Sequence, residues 1–113
     1  MVYDKANELA KDIKASEEYK TFAEAKEKIA QNETTVGLLK QYHKLQYEAQ
    51  AALVAGRQDD ESLQKVQKLG EILQMDKDAS AFLIAEYRLN MMIGDIYKII
   101  ADAVDVDLSM LED

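Results

Sequence analysis

From Lys77 to Ala103 the apolar residues of this chain recur in steps of three and four, and that pattern limits the fold more than any other feature. Phe82, Ala85, Leu89, Met92, Ile96, Ile99 and Ala103 fall on one seam of a helix with about 3.6 residues per turn. A strand would scatter the same residues over both of its faces, so the pattern rules one out. A second stripe, Leu83, Ile93, Tyr97, Ile100 and Val104, shares the adjacent face, and Ile84, Tyr87 and Met91 extend the apolar surface further round. So wide an arc needs cover from more than one direction. A chain of 113 residues has few helices to supply it, which makes self-association the leading expectation. The competing reading is that the third and fourth helices cover the whole surface within one monomer.

The rest of the chain has the same character. No proline interrupts it, Val and Thr are sparse, and Ala, Leu, Glu, Lys and Gln lose little entropy in a helix. Four further helices are expected. The first runs from Val2 to about Ala15 with Val2, Ala6, Leu9 and Ile13 inward. Ser16 caps a second, which reaches about Ala30 with Tyr19, Phe22, Ala25 and Ile29 inward. Asn32 caps a third that extends to Ala55, where Gly56 supplies a left-handed terminus before the loop Arg57-Gln58-Asp59-Asp60. The fourth, from about Asp60 to Met75, carries Leu63, Val66, Leu69, Ile72 and Leu73, and Asp76 or Asp78 caps the fifth. Short loops between long helices predict an antiparallel all-α bundle in a single domain spanning residues 1–113, with 105–113 as a flexible acidic tail.

Charge excludes several classes of function. A net charge of −8 repels phosphate backbones and anionic lipid, and the lysines between Glu17 and Lys28 alternate with acids instead of clustering, so neither direct nucleic-acid nor membrane binding is expected. Without cysteine there is no disulfide, thiolate zinc site or sulfur nucleophile. The opening Met1-Val2-Tyr3-Asp4-Lys5 has no signal-peptide pattern, and no apolar run approaches the roughly 20 residues that span a bilayer. Cytoplasmic localisation is the expectation. His43, the only histidine, lacks a second imidazole at metal-ligand spacing and reads as an ordinary helix residue. Gly37, Gly56, Gly70 and Gly94 are isolated and build no phosphate loop. No catalytic, cofactor or metal site is expected, and the chain reads as non-enzymatic.

The candidate functional residues are therefore those of an interface on the fifth helix: Glu86, Tyr87, Arg88, Asn90, Met91, Ile93 and Tyr97. Glu86 lies on the stripe of Leu83 and Ile93, with Asn90 one turn away as its polar neighbour. A carboxylate there requires donors from another helix, another subunit or water. Arg88 has only Ile84, Ala85, Met91 and Met92 three and four residues away, so its counter-charge comes from elsewhere. Two residues apart on a helix is about 200°, which aims Glu86 and Arg88 at different partner surfaces. Gly94 implies either a close helix approach or simple tolerance. The acidic-apolar tail from Ala101 to Asp113 reads either as a frayed end or as a segment that orders on docking.

Two blocks add a family resemblance. Tyr3-Asp4-Lys5-Ala6 through Ser16-Glu17-Glu18-Tyr19, and Ala85-Glu86-Tyr87-Arg88 through Asp95-Ile96-Tyr97-Lys98-Ile99-Ile100, stand in an order and separation that resemble the YlbF/YmcA family of small bacterial proteins, which includes the YheA group. The resemblance spans almost the whole chain and implies an oligomeric helical bundle with a non-enzymatic regulatory role. Some relatives regulate competence, sporulation and biofilm formation, assembling with one another and acting on RNA processing through the endoribonuclease RNase Y. It thus implies a homo-oligomer, a dimer or larger, with related family subunits or RNase Y as partners. Certain relatives hold iron–sulfur clusters through cysteines; this sequence has none, so no cofactor carries over. The alternative implied role is a self-assembling structural protein with no regulatory partner.

Overall fold

Three short polar side chains decide where helices begin. In the computed structural model, which describes residues 1–57 and 60–104, Ser16 Oγ accepts the Tyr19 N–H at 3.1 Å and Asn32 Oδ1 accepts the Thr35 N–H at 3.1 Å. Asp76 Oδ1 accepts two, from Asp78 N–H at 2.9 Å and Ala79 N–H at 3.1 Å. Each satisfies backbone donors that a helix leaves without partners at its first turn. They start α2 (Glu17–Ala30), α3 (Glu33–Val54) and α5 (Lys77–Val104); α1 (Val2–Lys14) and α4 (Asp60–Met75) are the other two helices, with no strand among the described residues. Gly56 follows α3 at φ +77°, a conformation in which a Cβ is strained. The expected boundaries hold to within a residue or two. Gln58, Asp59 and the acidic tail at 105–113 lie outside the described residues.

The chain divides into two compact units. In the unit of residues 23–84, α3 and α4 form the expected antiparallel hairpin. Their contacts run in opposite directions along the two helices: Gly70 lies against the Tyr42 ring, and Thr35, near the start of α3, donates its hydroxyl to Asp76 Oδ2 at 3.3 Å just beyond the end of α4. A Cβ at Gly70 would sit 3.4 Å from the Tyr42 ring, so the small residue marks the near approach of the two helices. Leu39, Ala49, Ala52, Leu69 and Leu73 are buried, and Leu73 is only 1% exposed. Burying a leucine that completely contributes about 1.5–3 kcal/mol. Leu63 and Ile72, expected inward, are instead exposed: at about 100° per residue they stand on opposite edges of an apolar arc that reaches about half-way round α4, wider than the surface facing it.

The second unit consists of residues 1–22 and α5 from Ala85 onward. Here helix periodicity and burial part company. α1 has no buried residue; Val2 and Ala6 are exposed, and Leu9 and Ile13 only half-buried. The seam of α5 is buried at Ala85 and Leu89, half-buried at Met92 and Ile96, and exposed at Ile99 and Ala103. Among the described residues of this unit, the outer part of the seam is not covered. Periodicity specifies which face is apolar, whereas cover depends on how far the neighbouring elements reach.

Candidate protein interaction site

The exposed half of α5 presents two different surfaces. The first is the stripe of Ile93, Tyr97, Ile100 and Val104, which are 45%, 69%, 52% and 65% exposed. Their spacing of four, three and four is that of a coiled-coil seam. Between Leu89 and Ala101 the only charged residues are Asp95 and Lys98, and at about 100° per residue both project from the opposite side of the helix. The stripe is thus a contiguous uncharged apolar face, the kind of surface that marks contact with another protein. Toward the N-terminus it passes into Asn90, which is exposed, and Glu86, which is half-buried and engaged in a polar or electrostatic interaction.

The second surface is a cleft of about 510 Å³ bounded by Glu17, Glu18 and Thr21 of α2 and by Ala85, Tyr87, Arg88, Met91, Met92 and Asp95 of α5. Ser16 positions the α2 side by starting that helix so that Glu17 and Glu18 occupy its first turn, where their charge complements the positive end of the helix dipole. On α5, Arg88 and Asp95 are about two turns apart and so share a side. Three carboxylates and one guanidinium thus share the lining with two thioethers and an aromatic ring, groups suited to polar recognition of a side chain.

The seven residues singled out from sequence divide between these surfaces. Tyr87, Arg88 and Met91 line the cleft, while Glu86, Asn90, Ile93 and Tyr97 lie along the stripe. Sequence reasoning missed Glu17, Glu18, Thr21 and Asp95 as neighbours of Arg88. Only the Arg88–Asp95 spacing carried a signal, because a meeting of α2 with α5 is a tertiary event. A Cβ on Gly94 would meet nothing within 4 Å among the described residues, so no close approach among them explains that glycine. His43 is half-buried beside Tyr42, their ring centroids 6.3 Å apart. Among the described residues no cluster of His, Asp or Glu is arranged to hold a metal, and no helix is long and apolar enough to cross a membrane.

Comparison with known proteins covers nearly the whole chain. The family model described as control of competence regulator ComK, YlbF/YmcA, matches residues 2–105. The chain belongs to the YlbF/YmcA family. Within it, a UPF0342 protein of Symbiobacterium thermophilum is 40% identical over 108 residues, covering 95% of this chain and 96% of the relative. A UPF0342 protein of Clostridium tetani is 38% identical over 109 residues, covering 96% and 94%. Among solved structures, Bacillus subtilis RicA, crystallised in complex with RicF, matches with a TM-score of 0.58 at 17% identity, covering 94% of this chain and 96% of RicA. That likeness establishes a shared helical fold. The YlbF/YmcA family is described by regulation and not by a reaction.

Proposed function

We propose that this YlbF/YmcA protein is a non-enzymatic regulatory adaptor that self-associates and binds related family subunits, and through them takes part in RNase Y-dependent RNA processing. The observation that carries the reading is the uncharged stripe of α5, with Tyr97 69% exposed at its centre. Large side chains at heptad spacing lose their contact with water only if another helix lies over them, and that gives a protein-binding role a physical driving force. The family's description as control of the competence regulator ComK and the structure of RicA in complex with RicF support the regulatory part. Glu86, Tyr87, Arg88, Asn90, Met91, Ile93 and Tyr97 are the proposed interface residues.

Light-scattering mass measured over a range of concentrations tests the reading. A dimer or larger assembly is expected, and a strict monomer at every concentration would remove its basis. Co-purification with purified family subunits and with RNase Y then separates an adaptor from a protein that assembles only with itself. Arg88→Glu puts a fourth carboxylate at the cleft, so it is expected to weaken capture of a partner while helicity stays intact. Unchanged capture would remove Arg88 from the interface.

A further inference from the structure

We propose that the joint between α4 and α5 is a two-state hinge: the Asp76 carboxylate latches the broken form, and without it the two helices join into one. The hinge acts whether or not the chain self-associates, and α5 is the helix that carries the interface residues.

The joint is a single residue, since α4 ends at Met75 and α5 begins at Lys77. Nothing in the local sequence forces a break. From Gly70 to Gly94 no glycine or proline intervenes, and Leu73, Gln74, Met75, Lys77 and Ala79 are all of types that favour helix. A continuous helix would send the N–H groups of Lys77, Asp78 and Ala79 to the carbonyls of Leu73, Gln74 and Met75. Instead the Asp76 N–H donates to the Leu73 carbonyl at 3.1 Å, and Asp76 Oδ1 accepts from Asp78 and Ala79. The carboxylate thus stands in for carbonyls of the helix it interrupts.

The other oxygen ties this latch to a different helix. Thr35, buried in the first turn of α3, donates its hydroxyl to Asp76 Oδ2 at 3.3 Å. Ser16 and Asn32, by contrast, accept from the helices they start. Burial sets the consequence of losing the latch. Ala79 is fully buried, so no water can take its N–H once the carboxylate is gone, and a dry donor without a partner is strongly unfavourable. Joining the helices gives that donor the Met75 carbonyl. Packing pulls the other way: Leu73 and Phe82, nine residues apart, would point to opposite sides of a straight helix, and the break lets one compact unit bury both.

Backbone NMR of Asp76→Ala, Asp76→Asn and Thr35→Val tests the hinge, with circular dichroism as the check on folding. A capping residue is extended and a helix-interior residue is not, so the Cα shift at position 76 reads the state of the joint. In Asp76→Ala that shift should move into the helical range. The Lys77 N–H, which as the first of its helix has no intrahelical acceptor in the broken form, should then exchange roughly tenfold more slowly. Asp76→Asn keeps a capping oxygen and should keep the natural pattern. A folded Asp76→Ala chain in which position 76 stays extended would overturn the proposal, because packing alone would then hold the break. If Asp76→Ala does not fold, Thr35→Val decides. With the tie to α3 removed, relaxation dispersion at residues 76–79 should reveal a minor helical state, and its absence would overturn the hinge.

Discussion

The α3–α4 hairpin and the outer half of α5 are made of similar material, yet one is a closed core and the other an open face. In the hairpin, Leu39, Leu69 and Leu73 are buried, the start of α3 is capped by the Asn32 side chain, and Gly70 lets α3 and α4 come close. On α5, Ile93, Tyr97, Ile100 and Val104 are no less apolar and no less regular, and they remain exposed. The difference teaches that heptad regularity is a demand for a partner helix and does not say which chain provides it. A hairpin answers that demand locally, because a short loop brings the second helix back at little entropic cost.

Substitutions can break or sharpen this contrast. The largest effect is expected from Leu73→Ala in the hairpin: removing a side chain that is 1% exposed should cost about 2–5 kcal/mol in thermal or urea unfolding. The same kind of truncation at Ile100 should change the unfolding of dilute monomer much less and act chiefly on oligomeric mass. Equal losses of monomer stability at both sites would mean that the stripe is covered after all. Next comes Asn32→Ala, which deletes the acceptor for the Thr35 N–H and should lower stability by about 1 kcal/mol.

Gly94→Ala separates the two regions in the opposite direction. A Cβ there meets nothing within 4 Å among the described residues, so the substitution should raise helix stability by about 0.5–1 kcal/mol. If a partner helix passes close to Gly94, the same change weakens the assembly while it stabilises the monomer, and parallel mass and melting measurements resolve the two.

The smallest effect concerns pH. Asp76 has its carboxyl held below the usual value of 3.8, first by the hydrogen bond from the Ala79 N–H, against the opposing effect of burial, and then by bonds from the Asp78 N–H and the Thr35 hydroxyl. A lowered folded-state value means that the carboxylate stabilises the fold above 3.8, and that this contribution is lost as pH falls through the lowered value. The stability gap between the natural chain and Asp76→Asn should stay constant near neutrality and narrow in strong acid. A gap that persists unchanged at the lowest attainable pH would show that Asp76 acts without its charge.

Much of this could be read in advance. The caps at Ser16, Asn32 and Asp76 and the left-handed Gly56 are local signals, since each acts on backbone within a few residues; three occur where the residue types placed them, and the structure chose Asp76 over Asp78 for the fourth. The candidate site was legible on α5 alone. Helical spacing relates Tyr87, Arg88 and Met91 to one another, but Glu17, Glu18 and Thr21 are some 70 positions distant in the sequence and share no pattern with Arg88.

What the sequence by itself determined was the set of helices, their ends and the apolar face of each, because 3.6-residue periodicity and capping chemistry operate over a few turns of one chain segment. What only the tertiary structure decided was which of those faces are covered. Burial depends on where other helices end in space, and so Val2 and Ala6 of α1 and the stripe from Ile93 to Val104, apolar by the same rule as Leu73, are left open to solvent.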